Sequence, residues 1–167
     1  GGEDYSCAIA RDITERKKAE QEILRNSERL KDLVDVLQYD SKDLQSFLDN
    51  ALNKAIEISG SKIGYIYFYD EEKNQFVINS WSKDVMKECS VVNPQTCYEL
   101  DKTGIWGEAV RQRKPIMVND FQAQNSLKKG YPQGHVHLMR FLTIPIFFRG
   151  RIVAVVGVAN KESDYEE

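Results

Sequence analysis

Glycine and proline are almost missing from the first third of this chain. Among 167 residues there is no glycine between Gly2 and Gly60, and all four prolines fall after residue 93. Long helices are therefore permitted early, and the turn punctuation of a mixed fold comes later. Cysteine is scarce: three residues at unrelated spacings exclude a disulfide framework and fit a reducing, cytoplasmic setting. No apolar run approaches the roughly 18 residues of a membrane span, and the N-terminus shows no signal-peptide pattern. An excess of either charge is also lacking. With 23 basic and 26 acidic residues the net charge is -3, too even for a nucleic-acid surface or a polybasic membrane anchor. Neither nucleic acid nor direct membrane contact is expected. What is present suffices for a core, since 41% of residues are hydrophobic and 29% charged. The length allows one domain plus a few dozen residues with another task.

Those extra residues lie at the start. Asp12, with Glu15 three residues on, forms a capping box that predicts a helix opening near Ile13. Ile23, Leu30, Leu37, Leu44, Ala51 and Ile58 then recur every seven residues. Ser27, Val34, Leu48 and Ala55 follow members of that series by four, and Leu33 and Phe47 by three. This is a seam of heptad type. Residues 11–33 carry both signs of charge, as on the solvated faces of a two-stranded coil. A surface helix packed on its own domain is the plainer reading, but the half before Leu37 has few apolar residues for globular packing. A parallel homodimer through this helix is the expectation. Asp40-Ser41 reads as a second N-cap, giving helices over about 13–39 and 42–59.

After Gly60 the period changes. KIGYIYFYD, residues 62–70, is apolar on both faces and reads as a central strand. Residues 71–74 form a turn and 76–81 the returning strand of a hairpin. Residues 83–98 read as irregular, with a helical turn near Val85-Met86. Thr103 is placed to cap a helix to Arg113, and PIMVND after it makes a short strand. A long loop over 122–134 has a helical turn near Leu127. Phe141 to Phe148, an Arg149-Gly150 turn and Ile152 to Ala159 make the clearest hairpin, with Pro145 marking an edge or bulge. The class is α+β: an antiparallel sheet with flanking helices, preceded by a long coiled-coil-type helix.

The ordered motifs SKIGYIYFYDEE, SWSKDVMKEC, GIWGEAVRQRKPIMVNDF, GYPQGHVHLMRFLTIPIF and GRIVAVVGVANK together resemble a GAF domain. More narrowly, they are similar to the GAF modules of PAS–GAF sensor histidine kinases of bacteria and archaea. The opening GGEDYSCAIARDITERK resembles the last strand of a PAS domain with its Asp-Ile-Thr exit. The resemblance implies a PAS remnant over 1–12, a signalling helix over 13–39 and a GAF domain over 40–167 that lacks its final helix. It also implies a regulatory module that binds a small ligand or only dimerises, with a PAS domain upstream and an output domain downstream. That output domain would be a histidine kinase or, alternatively, a diguanylate cyclase.

In such a fold the ligand would lie between the sheet and the inserted loops. Cys89 and His135 fall in those loops, and a thiol with an imidazole suits a haem or redox site. The bland alternative is a small buried thiol and a hydrogen-bonded structural histidine. A zinc site from His135, His137, Cys89 and Cys97 has no supporting ligand spacing, and the Cys-His dipeptide of bilin-binding GAF domains is absent. Trp81 and Trp106 would line the pocket or fill the core. Tyr65, Tyr67 and Tyr69 share one sheet face, either the pocket floor or the packing surface for the helices. Asn119 and Asp120 would cap a turn or touch the ligand. Arg140 would bind an anion or pair with Asp120 or Glu108. Asn160-Lys161 matches the start of the cyclic-nucleotide GAF motif, but its remainder is replaced by Tyr165-Glu166-Glu167.

No phosphate-binding glycine loop, nucleophile elbow or phosphoacceptor histidine motif is present, so no catalysis is expected from this segment. Three readings stay open: a sensor of an unidentified small ligand or of redox state, a haem sensor using Cys89 and His135, and a ligand-free dimerisation scaffold.

Overall fold

In the computed structural model the described residues are 2–82, 97–129 and 135–166, without the side chains of 2–12, 78 and 79. The chain divides into two units, residues 1–39 and 40–167. The first is a single helix, α1 (Gly2–Leu37), of 36 residues, about 54 Å long at 1.5 Å per residue. It runs through the expected start at Ile13, so residues 2–12 are helical here and do not form a strand. A strand needs a neighbouring strand to satisfy its backbone, whereas a helix pairs its own N–H and C=O groups. With no glycine or proline after Gly2 to stop it, the helix continues past Asp12. Arg16 and Glu20 pair across one turn at 3.0 Å. Ile23, Leu30 and Leu37 are 69%, 63% and 77% exposed, an apolar stripe at heptad spacing. No helix among the described residues is long and apolar enough to cross a membrane.

The second unit opens with α2 (Leu44–Ser59). Its N-cap is Asp43, not Asp40-Ser41: the Asp43 carboxylate accepts from the Ser46 N–H at 2.7 Å and from its hydroxyl at 2.8 Å. Those bonds, the backbone one foremost, hold the Asp43 carboxyl below its ordinary pKa. At the other end Gly60 takes φ 67°. The Gly60 and Ser61 N–H groups return to the carbonyls of Glu57 and Ile56, closing the helix. The heptad series does not carry through α2. Leu44 and Ile58 are exposed, while the buried residue is Leu52, outside the series. The reason is that α2 packs on a sheet and uses the stripe that faces it.

That sheet has six strands among the described residues: β1 (Ile63–Asp70), β2 (Gln75–Trp81), β3 (Cys97–Glu99), β4 (Ile116–Val118), β5 (Phe141–Phe148) and β6 (Arg151–Ala159). Their order is β3-β2-β1-β6-β5-β4, antiparallel throughout. Both expected hairpins are present. Asp70 accepts from the N–H groups of Glu72 and Lys73 to form the first turn. Arg149 and Gly150, with φ of 50° and 79°, make the tight second one, the conformation that matches strand twist in a two-residue hairpin. Pro145 pairs with Val155 of β6. β4 ends its pairing at Thr143, so the missing proline N–H falls where β5 has no second neighbour. A bulge follows between Ile146 and Phe147.

The expected helix from Thr103 to Arg113 is shorter. A 3₁₀ turn over Ile105–Gly107 leads into α3 (Glu108–Arg111). Thr103 does not cap it; its hydroxyl donates backwards to the Leu100 carbonyl at 2.6 Å.

The two faces of the sheet differ. α2 covers one of them at Gly64, where a Cβ would lie 3.0 Å from both Leu52 and Ile56, so glycine lets the helix approach. Gln45 and Asp49 of α2 bond the Ser80 hydroxyl at 2.7 and 2.6 Å on that same side. The opposite face carries the three tyrosines and two apolar clusters. One gathers Ile63, Ile105, Phe121, Val136, Leu138 and Phe141; the other gathers Tyr67, Tyr69, Phe76, Val110, Ile152 and Val155.

Candidate functional site

β-Strand alternation puts Tyr65, Tyr67 and Tyr69 on the face away from α2, and cross-strand register adds Phe76 opposite Tyr69 and Tyr98 opposite Phe76. The Trp106 ring drops onto this floor. Its centroid lies 4.8 Å from Phe76, 5.3 Å from Tyr67 and 5.6 Å from Tyr98. Edge-on and tilted geometries dominate, as the ring quadrupoles favour. Phe141 extends the group, stacked on Tyr65 at 6.4 Å. Tyr65 itself fits because Gly157 faces it: a Cβ there would lie 2.2 Å from the ring. Its hydroxyl donates to the Thr143 Oγ1 at 3.3 Å, and Thr143 is fully buried.

Trp106 is held from behind by Arg111. The guanidinium donates to the carbonyls of Leu100, Thr103 and Gly104 and to the Thr103 hydroxyl, and pairs with Glu108 at 2.5 Å. Five acceptors in one fork lock the segment 100–108 that carries the indole. Gly107 belongs to the same lock, since a Cβ there would overlap the Thr103 hydroxyl at 1.9 Å. The Gln112 amide and then Arg111 hold the Glu108 carboxyl below its ordinary pKa, against the opposing effect of burial.

Burial pushes the phenols of Tyr65 and Tyr67 far above their ordinary range. Tyr67 also shares hydrogen bonds with the Trp81 indole and the Tyr98 hydroxyl. The face is thus apolar, rich in rings and lined by neutral phenol groups. Among the described residues its rings pack on one another, with Phe76, Tyr67 and Tyr69 buried.

Both candidate tryptophans therefore meet at Tyr67. The other candidates do not converge there. Asp120 caps the turn after β4, accepting from the N–H groups of Gln122 and Ala123 at 3.1 and 3.0 Å. Asn119 clasps the backbone of Tyr165, donating to its carbonyl at 3.0 Å and accepting from its N–H at 2.8 Å. Arg140 pairs with Asp164 at 2.8 Å, not with Asp120 or Glu108. The register Phe141↔Ala159 sets Arg140 beside the residues after β6, while Asp120 and Glu108 are engaged by their own turns.

His135 is half-buried, with Nδ1 2.8 Å from the Val136 carbonyl, and His137 is exposed. Cys89 and the helical turn at Val85-Met86 lie outside the described residues, so the pairing of Cys89 with His135 does too. Cys97 is an exposed free thiol on β3. Among the described residues no group of three or more His, Cys, Asp or Glu is placed to hold a metal ion. Sequence reasoning passed over Phe76, Tyr98, Thr143 and Gly157. The alternation that selected the tyrosines reaches Phe76 once hairpin register is assumed. Tyr98 and Thr143 carry no local signal.

Known proteins agree with this architecture. The family model for the GAF domain matches residues 41–167. A methyl sulfide methyltransferase-associated sensor of Methanosarcina acetivorans is 49% identical over 167 residues, all of this chain but 17% of the relative. This chain thus spans about a sixth of that protein's length. Among solved structures, the GAF domain of a phosphoenolpyruvate-protein phosphotransferase from Coxiella burnetii superposes with a TM-score of 0.66 at 18% identity, covering 83% of this chain and 81% of that one. A free methionine-R-sulfoxide reductase of Neisseria meningitidis, solved with its substrate, has a TM-score of 0.56 at 16% identity, covering 77% and 69%. At such identities the structures speak for the fold alone. The antiparallel sheet, its flanking helices and the match over 41–167 place this chain in the GAF domain family.

Proposed function

We propose that this chain is the sensory segment of a longer signal-transduction protein, in which a small ligand or a redox change at the aromatic face biases a downstream output domain. The observation that carries this reading is the 49% identity, over the full chain, to a protein named as a sensor. The ring-lined face supports it, because aromatic side chains offer stacking and apolar contacts to a small molecule. In this reading the segment is non-catalytic, α1 is the signalling helix through which two copies pair, a PAS domain lies upstream, and the output domain is a histidine kinase. Occupancy shifts a pre-existing balance of conformations, and the flanking helices pass that shift on.

The test uses tryptophan emission, since Trp81 and Trp106 both touch Tyr67. The chain is titrated separately with hemin, cyclic GMP and dimethyl sulfide, and cycled between dithiothreitol and ferricyanide. A saturable change with one of these probes, lost in Trp106→Phe, is the expected result. No response to any of the four treatments would overturn the sensory reading and leave a dimerisation scaffold.

A further inference from the structure

The residues that follow β6 do not leave the domain freely. They are tied down at four places. Asn160, in a left-handed conformation with φ 62°, accepts from the Met139 N–H at 2.9 Å and donates to the His137 carbonyl at 2.8 Å through its side chain. Its own N–H donates to the Arg140 carbonyl at 3.0 Å. Arg140 answers with the Asp164 pair and a longer bond to the Lys161 carbonyl. Asn119 at the end of β4 holds both backbone groups of Tyr165. The Tyr165 hydroxyl lies 2.7 Å from that of Ser61, just past α2, and its ring is buried under the Lys161 ammonium.

These contacts close a ring. Met139, which Asn160 holds on one side, accepts from the Phe121 N–H at 2.8 Å on the other. Phe121 is two residues from Asn119, which returns to Tyr165. The segment 135–140 inside the ring carries Val136 and Leu138 into the cluster beneath Tyr65 and Trp106. A displacement of that segment must therefore stretch bonds to Asn160 or to Phe121.

We infer that residues 160–166 form a strap whose docking is coupled to segment 135–140, with Asn119 and Asn160 as its positioning residues. Resting on the sensory reading, the strap is the part of the domain that reports the state of the aromatic face to whatever follows β6. The physical requirement is a docked and an undocked state that both contacts bias together.

Backbone amide exchange in the whole chain tests this. Asn119→Ala removes both bonds to Tyr165 and touches nothing at Met139. Asn160→Gly removes the side-chain bonds at 137 and 139 while glycine keeps the left-handed φ. Coupling predicts that Asn119→Ala speeds exchange of the Met139 amide, and Asn160→Gly that of Tyr165, each by about fivefold or more. The core amides of Ile66 and Val156 should not change. If each variant affects only its own contact, the strap is two independent turns and the inference falls. If core amides also exchange faster, Tyr165→Phe is read instead, because it keeps the ring and removes the hydroxyl contact to Ser61; an unchanged Met139 amide there overturns the coupling. Absence of any ligand response would leave this exchange result intact, so the two claims fail separately.

Discussion

The ring of Tyr65 occupies the space that a side chain on Gly157 would fill, with its Cζ 2.2 Å from the ideal Cβ position. The two residues are directly paired across β1 and β6. Gly157→Ala should therefore destabilise the domain by about 1–3 kcal/mol through overpacking. A urea unfolding midpoint equal to that of the parent would show that the ring moves aside at no cost. Tyr65→Phe combined with Gly157→Ala should not restore stability, since the clash is with the ring and not with the hydroxyl alone.

Arg111 predicts a larger loss. Arg111→Met takes the ion-pair partner from the buried Glu108 carboxylate, leaving it the Gln112 amide, and removes the guanidinium bonds to the Leu100, Thr103 and Gly104 carbonyls, at a cost of about 3 kcal/mol. Near-ultraviolet circular dichroism should report loosening of Trp106 in the same variant. Adding Glu108→Gln should recover part of the stability, because the uncompensated charge is then gone. No recovery would mean that the guanidinium acts on the backbone alone.

Acid should weaken the fold in a defined window. Bonds to backbone N–H groups hold the carboxyls of Asp43, Asp70 and Glu71 below their ordinary values, at Ser46, Lys73 and Ile152 respectively, and Gln112 does the same for Glu108. A lowered folded pKa means that the unfolded chain takes up protons first as pH falls. The contribution is complete above about pH 4.5 and declines below it. In alkali the sign reverses for Tyr65 and Tyr67, whose raised values cost stability as pH rises past about 10. Melting temperature should fall on both sides of a plateau, and phenolate absorbance from these two residues should appear only with unfolding. Early, fully reversible ionisation of all tyrosines would contradict their burial.

The apolar stripe on α1 predicts association. Light scattering should give a dimer, and Leu30→Asp with Leu37→Asp should give a monomer whose sheet melts at the parent temperature. A parent that is monomeric at every concentration would remove the coil from the proposed relay.

Much of the fold was legible because it rests on local rules. The switch from heptad spacing before Gly60 to strict alternation at Tyr65, Tyr67 and Tyr69 marks where helix ends and sheet begins. The Arg149-Gly150 turn and the unpaired side of Pro145 follow from backbone chemistry alone. Helix bounds were less legible. Asp12 and Asp40 look like caps, yet capping requires the preceding residue to leave the helix, and nothing in α1 forces that at Asp12. At the site, Trp81 and Trp106 were found by their size. For Arg140 the sequence left an anion, Asp120 or Glu108 as alternatives, and Asp164 becomes its neighbour only through the β5–β6 register.

The scarcity of glycine and proline before Gly60 permits a long helix at the start of the chain, and the apolar β-favouring runs after Gly60 mark the sheet. Spacing and turn residues act between near neighbours, so the sequence displays them directly. Which face of β1 would lie beneath Trp106, and that Asn119 would hold Tyr165 rather than a ligand, were decided only when strands distant in sequence came into register. Those contacts join residues such as 119 and 165, and no local preference encodes a pairing across that distance.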